Sequence, residues 1–206
     1  MPGKFIVIEG LDGSGKGTIA TMLAEWLFKR DKSAGVLLTR EPTGVSEAGK
    51  KIRELLKIVK DPNSRARDFA KLYVDDREWH IENRIKPALR VGSMVISDRY
   101  KHSTLAYQQL QGMRLEELLK MHEGMIVPDL TVVLDISAET AMERTSKDKA
   151  RSHAEVFEQF DFLKELRGKY LELPQKLKGE RIAIVDASKS VKKVFESVKK
   201  EVEKIL

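Results

Sequence analysis

Apolar residues fall into two alternating patterns along the chain. Short runs that are apolar at nearly every position, Phe5–Ile8, Val36–Leu38, Met94–Ile96, Leu130–Leu134 and Ile182–Val185, have the length and β-branched content of strands buried on both faces. Between them lie longer segments with helical spacing, Gly15–Lys29, Ser46–Val59, Ala66–Arg90, Leu105–Glu123, Ala138–Lys147, Glu155–Leu177 and Val191–Leu206. Strands that are always separated by helices cannot pair as hairpins, and right-handed crossovers then give a mainly parallel sheet. The expected class is α/β, a five-stranded parallel sheet with helices on both faces. No repeat, low-complexity tract or long linker divides the 206 residues, so one domain over residues 1–206 is expected. Ser146–His153, with Ala150 its only apolar residue, reads as a surface excursion and not as a boundary.

Composition narrows the chemistry. With 41% hydrophobic and 34% charged residues the chain is not of the disordered class. No window approaches the roughly eighteen uninterrupted apolar residues of a membrane span, and Lys4 leads straight into a strand-like run without a signal-peptide pattern, so a cytoplasmic protein with no membrane partner is expected. The absence of cysteine removes disulfides, thiolate metal sites and thiol nucleophiles together. A formal charge of +6 favours anionic partners, but Lys and Arg are spread through amphipathic segments. A small polyanion accounts for the excess as well as nucleic acid would, and no nucleic-acid partner is expected. His80, His102, His122 and His153 lack the close spacing of a paired metal site and read as structural or surface groups. Met113, Met121 and Met125 read as packing, in the fold or at a subunit contact.

Two motifs carry candidate chemistry. Gly10-Leu11-Asp12-Gly13-Ser14-Gly15-Lys16-Gly17-Thr18 follows the first strand directly and opens the first helical segment. Glycines let the backbone close around phosphate oxygens, N–H groups and the helix N-terminus face the anion, and Lys16 adds a mobile positive charge. The residue after Lys16 is Gly17, where Ser or Thr usually ligates magnesium, and the hydroxyl comes one place later at Thr18. This Gly-Lys-Gly-Thr form resembles that of adenylate kinases. The second motif, Val95-Ile96-Ser97-Asp98-Arg99-Tyr100, is an apolar strand ending in a carboxylate and a guanidinium. In an open α/β sheet ligands gather at the carboxyl ends of strands, which brings both groups toward the phosphate cradle. Asp98 could hold magnesium and Arg99 could neutralise phosphate charge.

Further segments occur in an order that resembles thymidylate kinase. They are Thr39-Arg40-Glu41-Pro42, Ile52-Arg53-Glu54-Leu55-Leu56, Asp98-Arg99-Tyr100 with Ser103-Thr104-Leu105-Ala106-Tyr107-Gln108, Pro128-Asp129-Leu130-Thr131 and, in the tail, Tyr170-Leu171-Glu172-Leu173. The resemblance covers nearly the whole chain. It implies the P-loop NTPase fold with a short lid at about residues 145–157, ATP and Mg2+ as cofactors, dTMP as acceptor, and a homodimer. By the same resemblance Arg53 and Arg99 bind the dTMP phosphate, and Asp12 lies by the sugar 3′-hydroxyl near the metal. Tyr73 lies against thymine and Arg77 at the base's polar edge. Ser103 and Thr104 approach the base, Tyr107 crowds a ribose 2′-hydroxyl, and Gln108 completes the pattern.

Asp75 and Asp76 depart from it, standing where small or amide residues are expected. Gly13 occupies the loop position where one kind of family member carries an arginine, so this chain resembles the kind that supplies it from the lid. Lys147, Lys149 and Arg151 are candidates, of which Arg151 can bridge two phosphate oxygens. A kinase of another nucleoside monophosphate and a non-catalytic ATP-binding regulator stand as alternatives.

Overall fold

The computed structural model describes residues 3–59, 65–147 and 160–206. Its sheet is all parallel, in the order β2-β3-β1-β4-β5, from β1 (Phe5–Gly10), β2 (Val36–Arg40), β3 (Met94–Asp98), β4 (Leu130–Asp135) and β5 (Ile182–Asp186). Each run expected from the sequence lies inside a strand, and each strand runs further at its carboxyl end through residues such as Glu9, Arg40, Asp98, Asp135 and Asp186. Hydrophobicity stops marking the strands where they become polar, and that edge is where an α/β sheet binds ligands.

Nine α-helical segments are described: α1 (Lys16–Arg30), α2 (Glu47–Ile58), α3 (Ala66–His80), α4 (Lys86–Arg90), α5 (Lys101–Leu110), α6 (Leu115–Met121), α7 (Ala138–Ser146), α8 (Phe160–Lys176) and α9 (Val191–Glu203). Alternation along β1 splits the core. Ile6 and Ile8 cluster with Ile19, Leu23 and Leu27 of α1 and Val198 of α9, whereas Phe5 and Val7 cluster with Ile81, Ile85 and Tyr100. Met113 and Met121 pack on the first cluster and Met125 on the second.

Two helix expectations need correction. Leu105–Glu123 is not one helix: α5 starts at Lys101 and ends at Leu110, Gly112 turns the chain at φ 89°, and α6 follows. Ala66–Arg90 is helical throughout, but α3 and α4 are joined by a π turn, Ile81–Ile85, in which the Lys86 N–H bonds the carbonyl of Ile81. Pro87 explains it, because its ring removes an N–H and crowds the carbonyl four residues back, and widening the previous turn relieves both. The segment Glu155–Leu177 is helical from Phe160, its first residues lying outside the described ones.

Candidate active site

The order of strands reverses at β1, so the loop after β1 and the residues ending β3 share one crevice. Gly13 has φ 81°, and a Cβ there would come within 2.7 Å of the Ala141 carbonyl of α7. An arginine could not occupy position 13 unless α7 moved. Lys16, the first residue of α1, is 6% exposed and curls back over the loop, its Nζ donating to the Leu11 carbonyl at 2.9 Å and to Asp12 Oδ1 at 3.4 Å. Burial, and then the nearby Arg99, lower its pKa. The Ser14 hydroxyl is buried without a hydrogen-bond partner. A buried polar atom left alone costs roughly 1–3 kcal/mol, which a ligand would recover.

Arg99 is the one described non-glycine residue at positive φ, 74°. Its N–H donates to Ile8 O at 2.9 Å, and its own carbonyl accepts from Ser97 Oγ at 2.7 Å. Such backbone is disfavoured for a side chain and is held here by the ends of two strands. The guanidinium donates to Asp12 at 2.6 Å, Ser103 Oγ at 3.0 Å and Tyr170 Oη at 3.3 Å, and lies 5.6 Å from the Tyr107 ring centre. Burial opposes its charge, but Tyr107, Asp12, Tyr170 and Glu9 outweigh burial and its pKa rises.

Asp98 closes the crevice with Oδ1 buried and without a partner. A Cβ added at Gly17 would sit 3.6 Å from its Oδ2, so position 17 leaves open space beside this carboxylate. Thr18 is exposed on α1. This donor set, hard oxygens with an unspent carboxylate oxygen, suits a magnesium ion that keeps several waters.

On α3, Tyr73 is half-buried and stacks with Phe69 at 6.4 Å. Tyr107 meets Phe162 at 6.0 Å, and its pKa is raised, chiefly by burial. Arg53 reaches the Pro42 carbonyl at 2.8 Å. Arg77 and Thr104 meet at 3.2 Å in the interior. Gln108 is buried, not solvated, and bonds Gln111 at 2.9 Å, leaving its own Oε1 without a partner. Ser103 is drawn into the Arg99 network. Arg151, Lys149 and His153 lie outside the described residues, as does most of the expected lid.

Three buried groups outside the expected site residues organise the site's surroundings. Glu9 accepts from Tyr100 N at 2.8 Å, Ser103 N at 3.1 Å, Ser103 Oγ at 2.7 Å and Tyr170 Oη at 3.1 Å, capping α5 from a neighbouring strand. Its one sequence cue is a carboxylate at the end of an otherwise buried strand. Glu9→Ala strands two backbone N–H groups and is expected to cost about 3 kcal/mol. Thermal unfolding should then begin roughly 6–12 °C lower. Asp76 accepts from Thr43 N at 2.7 Å and from the Thr43 and Ser46 hydroxyls, fastening α3 to the loop that opens α2. This buried latch accounts for the departure at position 76, while Asp75 is exposed. His122 pairs with Arg77.

A family model described as thymidylate kinase matches residues 8–198. A probable thymidylate kinase of Pyrococcus abyssi is 39% identical over 202 residues, covering 96% of this chain and 95% of its own. Thymidylate kinases of a Geobacillus species and of Clostridium novyi are each 37% identical, covering 95% and 96% of this chain and 93% and 97% of theirs.

Proposed function

The chain belongs to the thymidylate kinase family, and from that premise we propose how its own residues carry ATP-dependent conversion of dTMP to dTDP. One observation carries the assignment of roles. Lys16 of the phosphate loop and Arg99 at the end of β3 meet on the same oxygen, Asp12 Oδ1, at 3.4 and 2.6 Å. A cation suited to the phosphates of ATP and one suited to the phosphate of dTMP therefore stand on either side of a single carboxylate. A donor and an acceptor bound to them would be adjacent.

In the reaction an oxygen of the dTMP phosphate forms a bond to the γ-phosphorus as the bond to the β,γ-bridging oxygen breaks, and ADP leaves. The acceptor is already ionised, so no strong base is needed and positioning with charge neutralisation supplies most of the catalysis. Loop N–H groups from Gly10 to Thr18 and Lys16 hold the β- and γ-phosphates, while Arg99 and Arg53 grip the acceptor phosphate with forked donors. Asp12 turns to the sugar 3′-hydroxyl once its cations are taken by phosphate. Arg151, from the lid, meets charge on the group in transfer. Mg2+ would be held by Asp98 and Thr18, and when bound it neutralises phosphate oxygens.

Tyr73 and Tyr107 supply an aromatic slot for the base and sugar, with Arg77, Thr104 and Gln108 at the polar edge. We extend the reading to a homodimer in the cytoplasm, as the resemblance implies. No helix of the described residues is long and apolar enough to cross a membrane.

The slot can be tested by substrate choice. One methyl group in a hydrophobic pocket is worth about 1–3 kcal/mol, so kcat/KM for dTMP should exceed that for dUMP by roughly 10- to 200-fold. Equal values for the two would remove the thymine slot from this account while leaving the phosphate sites standing.

A further inference from the structure

Arg77 is surrounded on several sides. Its Nε donates to Glu41 Oε2 at 2.8 Å, Nη2 to Thr104 Oγ1 at 3.2 Å and Nη1 to His122 Nε2 at 2.6 Å, while its plane lies 5.3 Å from the Tyr100 ring centre. A guanidinium has five N–H groups and accepts nothing, so these three bonds leave two N–H groups for another partner. Glu41 is itself fixed by His80, whose Nδ1 lies 2.9 Å from Oε1 and whose Nε2 meets Thr39 Oγ1 at 2.7 Å.

His122 ends α6, and its ring can be read atom by atom. Nδ1 lies 2.7 Å from the Leu118 carbonyl, which only accepts, so Nδ1 carries the proton. Nε2 therefore presents a lone pair to Arg77. Burial, then Arg77, with Lys101 and His102 adding at longer range, bring the ring's pKa down to about 3, so it stays an acceptor at any working pH.

We propose that His122 is a positioning residue for base selection, holding the buried Arg77 fork so that its remaining N–H groups face an oxygen, and not an amino group, at position 4 of a pyrimidine. The proposal rests on the placement of Arg77 at the base edge argued above. A donor-only fork pairs with the 4-oxygen of thymine, whereas the 4-amino group of cytosine would face N–H with N–H. That selection holds only while the fork cannot rotate. Glu41 and Thr104 fix one side and one corner, and His122 fixes the other terminal nitrogen.

Two substitutions separate this role from simple packing. His122→Asn keeps an amide that can serve Leu118 but is too short to reach Arg77, whereas His122→Gln places a carbonyl where Nε2 stood. With the full chain, KM for dTMP should rise at least tenfold in His122→Asn, with kcat and the KM for ATP within threefold of the parent. The dTMP to dCMP ratio of kcat/KM should narrow about tenfold, and His122→Gln should return KM to within threefold.

An unchanged KM for dTMP in His122→Asn, or equal losses in both variants, would overturn the proposal. Arg77→Lys distinguishes the levels. If it raises KM for dTMP while His122→Asn does not, His122 alone is wrongly assigned; if Arg77→Lys leaves KM for dTMP unchanged, the base-edge reading itself falls.

Discussion

Lys16→Ala is expected to lower kcat/KM by about 10²–10³-fold, the loss seen when one preorganised donor to developing charge is removed, without lowering the melting temperature. The second half separates the roles open to this loop. If the glycine-rich turn only caps α1, the substitution should do little to catalysis. In the structure Lys16 is buried among loop atoms, with a pKa lowered first by burial and then by Arg99. A lysine whose folded pKa lies below its unfolded value binds its proton less well in the folded state, so below both values its charge costs stability. At neutral pH, alanine removes that cost and is the better helix former, which together offset the lost bond to the Leu11 carbonyl. Activity should therefore fall while thermal unfolding stays level or shifts upward, as steady-state assays and calorimetry on one preparation would report.

Arg99→Ala should have an effect of similar size, about 10²–10³-fold in kcat/KM, with a different signature. With Arg99 assigned to the acceptor phosphate as proposed, the rise in KM should fall on dTMP and leave KM for ATP within a few-fold. Alanine at a backbone φ of 74° is as disfavoured as arginine, and the carboxylate of Asp12 loses its 2.6 Å partner. Some stability should be lost as well. Arg99→Lys keeps the charge but not the fork, and its turnover should lie between alanine and the parent. Steady-state kinetics with each substrate varied in turn checks the pattern, and a loss shared equally between ATP and dTMP would contradict the assignment of Arg99 to the acceptor.

Much of the fold is visible in the pattern of the chain, and the reason is local. Strands buried on both faces are apolar at almost every position, as Phe5–Ile8 and Leu130–Leu134 are, and α1 has its phosphate loop as a start signal. The two helix corrections were also signalled locally, by Gly112 and Pro87, although helical spacing on either side masked the break and the π turn.

The glycine-rich loop and the Asp98-Arg99 pair could be singled out in the sequence because the residues proposed to act are consecutive and also fix the backbone. Glu9, Asp76 and His122 could not, since each has its meaning from partners 30 to 161 positions away, such as Asp76 with Ser46 and Glu9 with Tyr170, or, for His122, from an arginine on another helix. A buried carboxylate or imidazole in sequence is only a polar letter. Its role appears when the donors around it are known.

The most direct measurement of the central claim is ADP release with ATP and magnesium, using dTMP, dUMP, thymidine, AMP, GMP and CMP as acceptors in turn. The account predicts clear preference for dTMP, with dTDP formed in step with ADP. Preference for another acceptor, or no turnover with any of them, would contradict it.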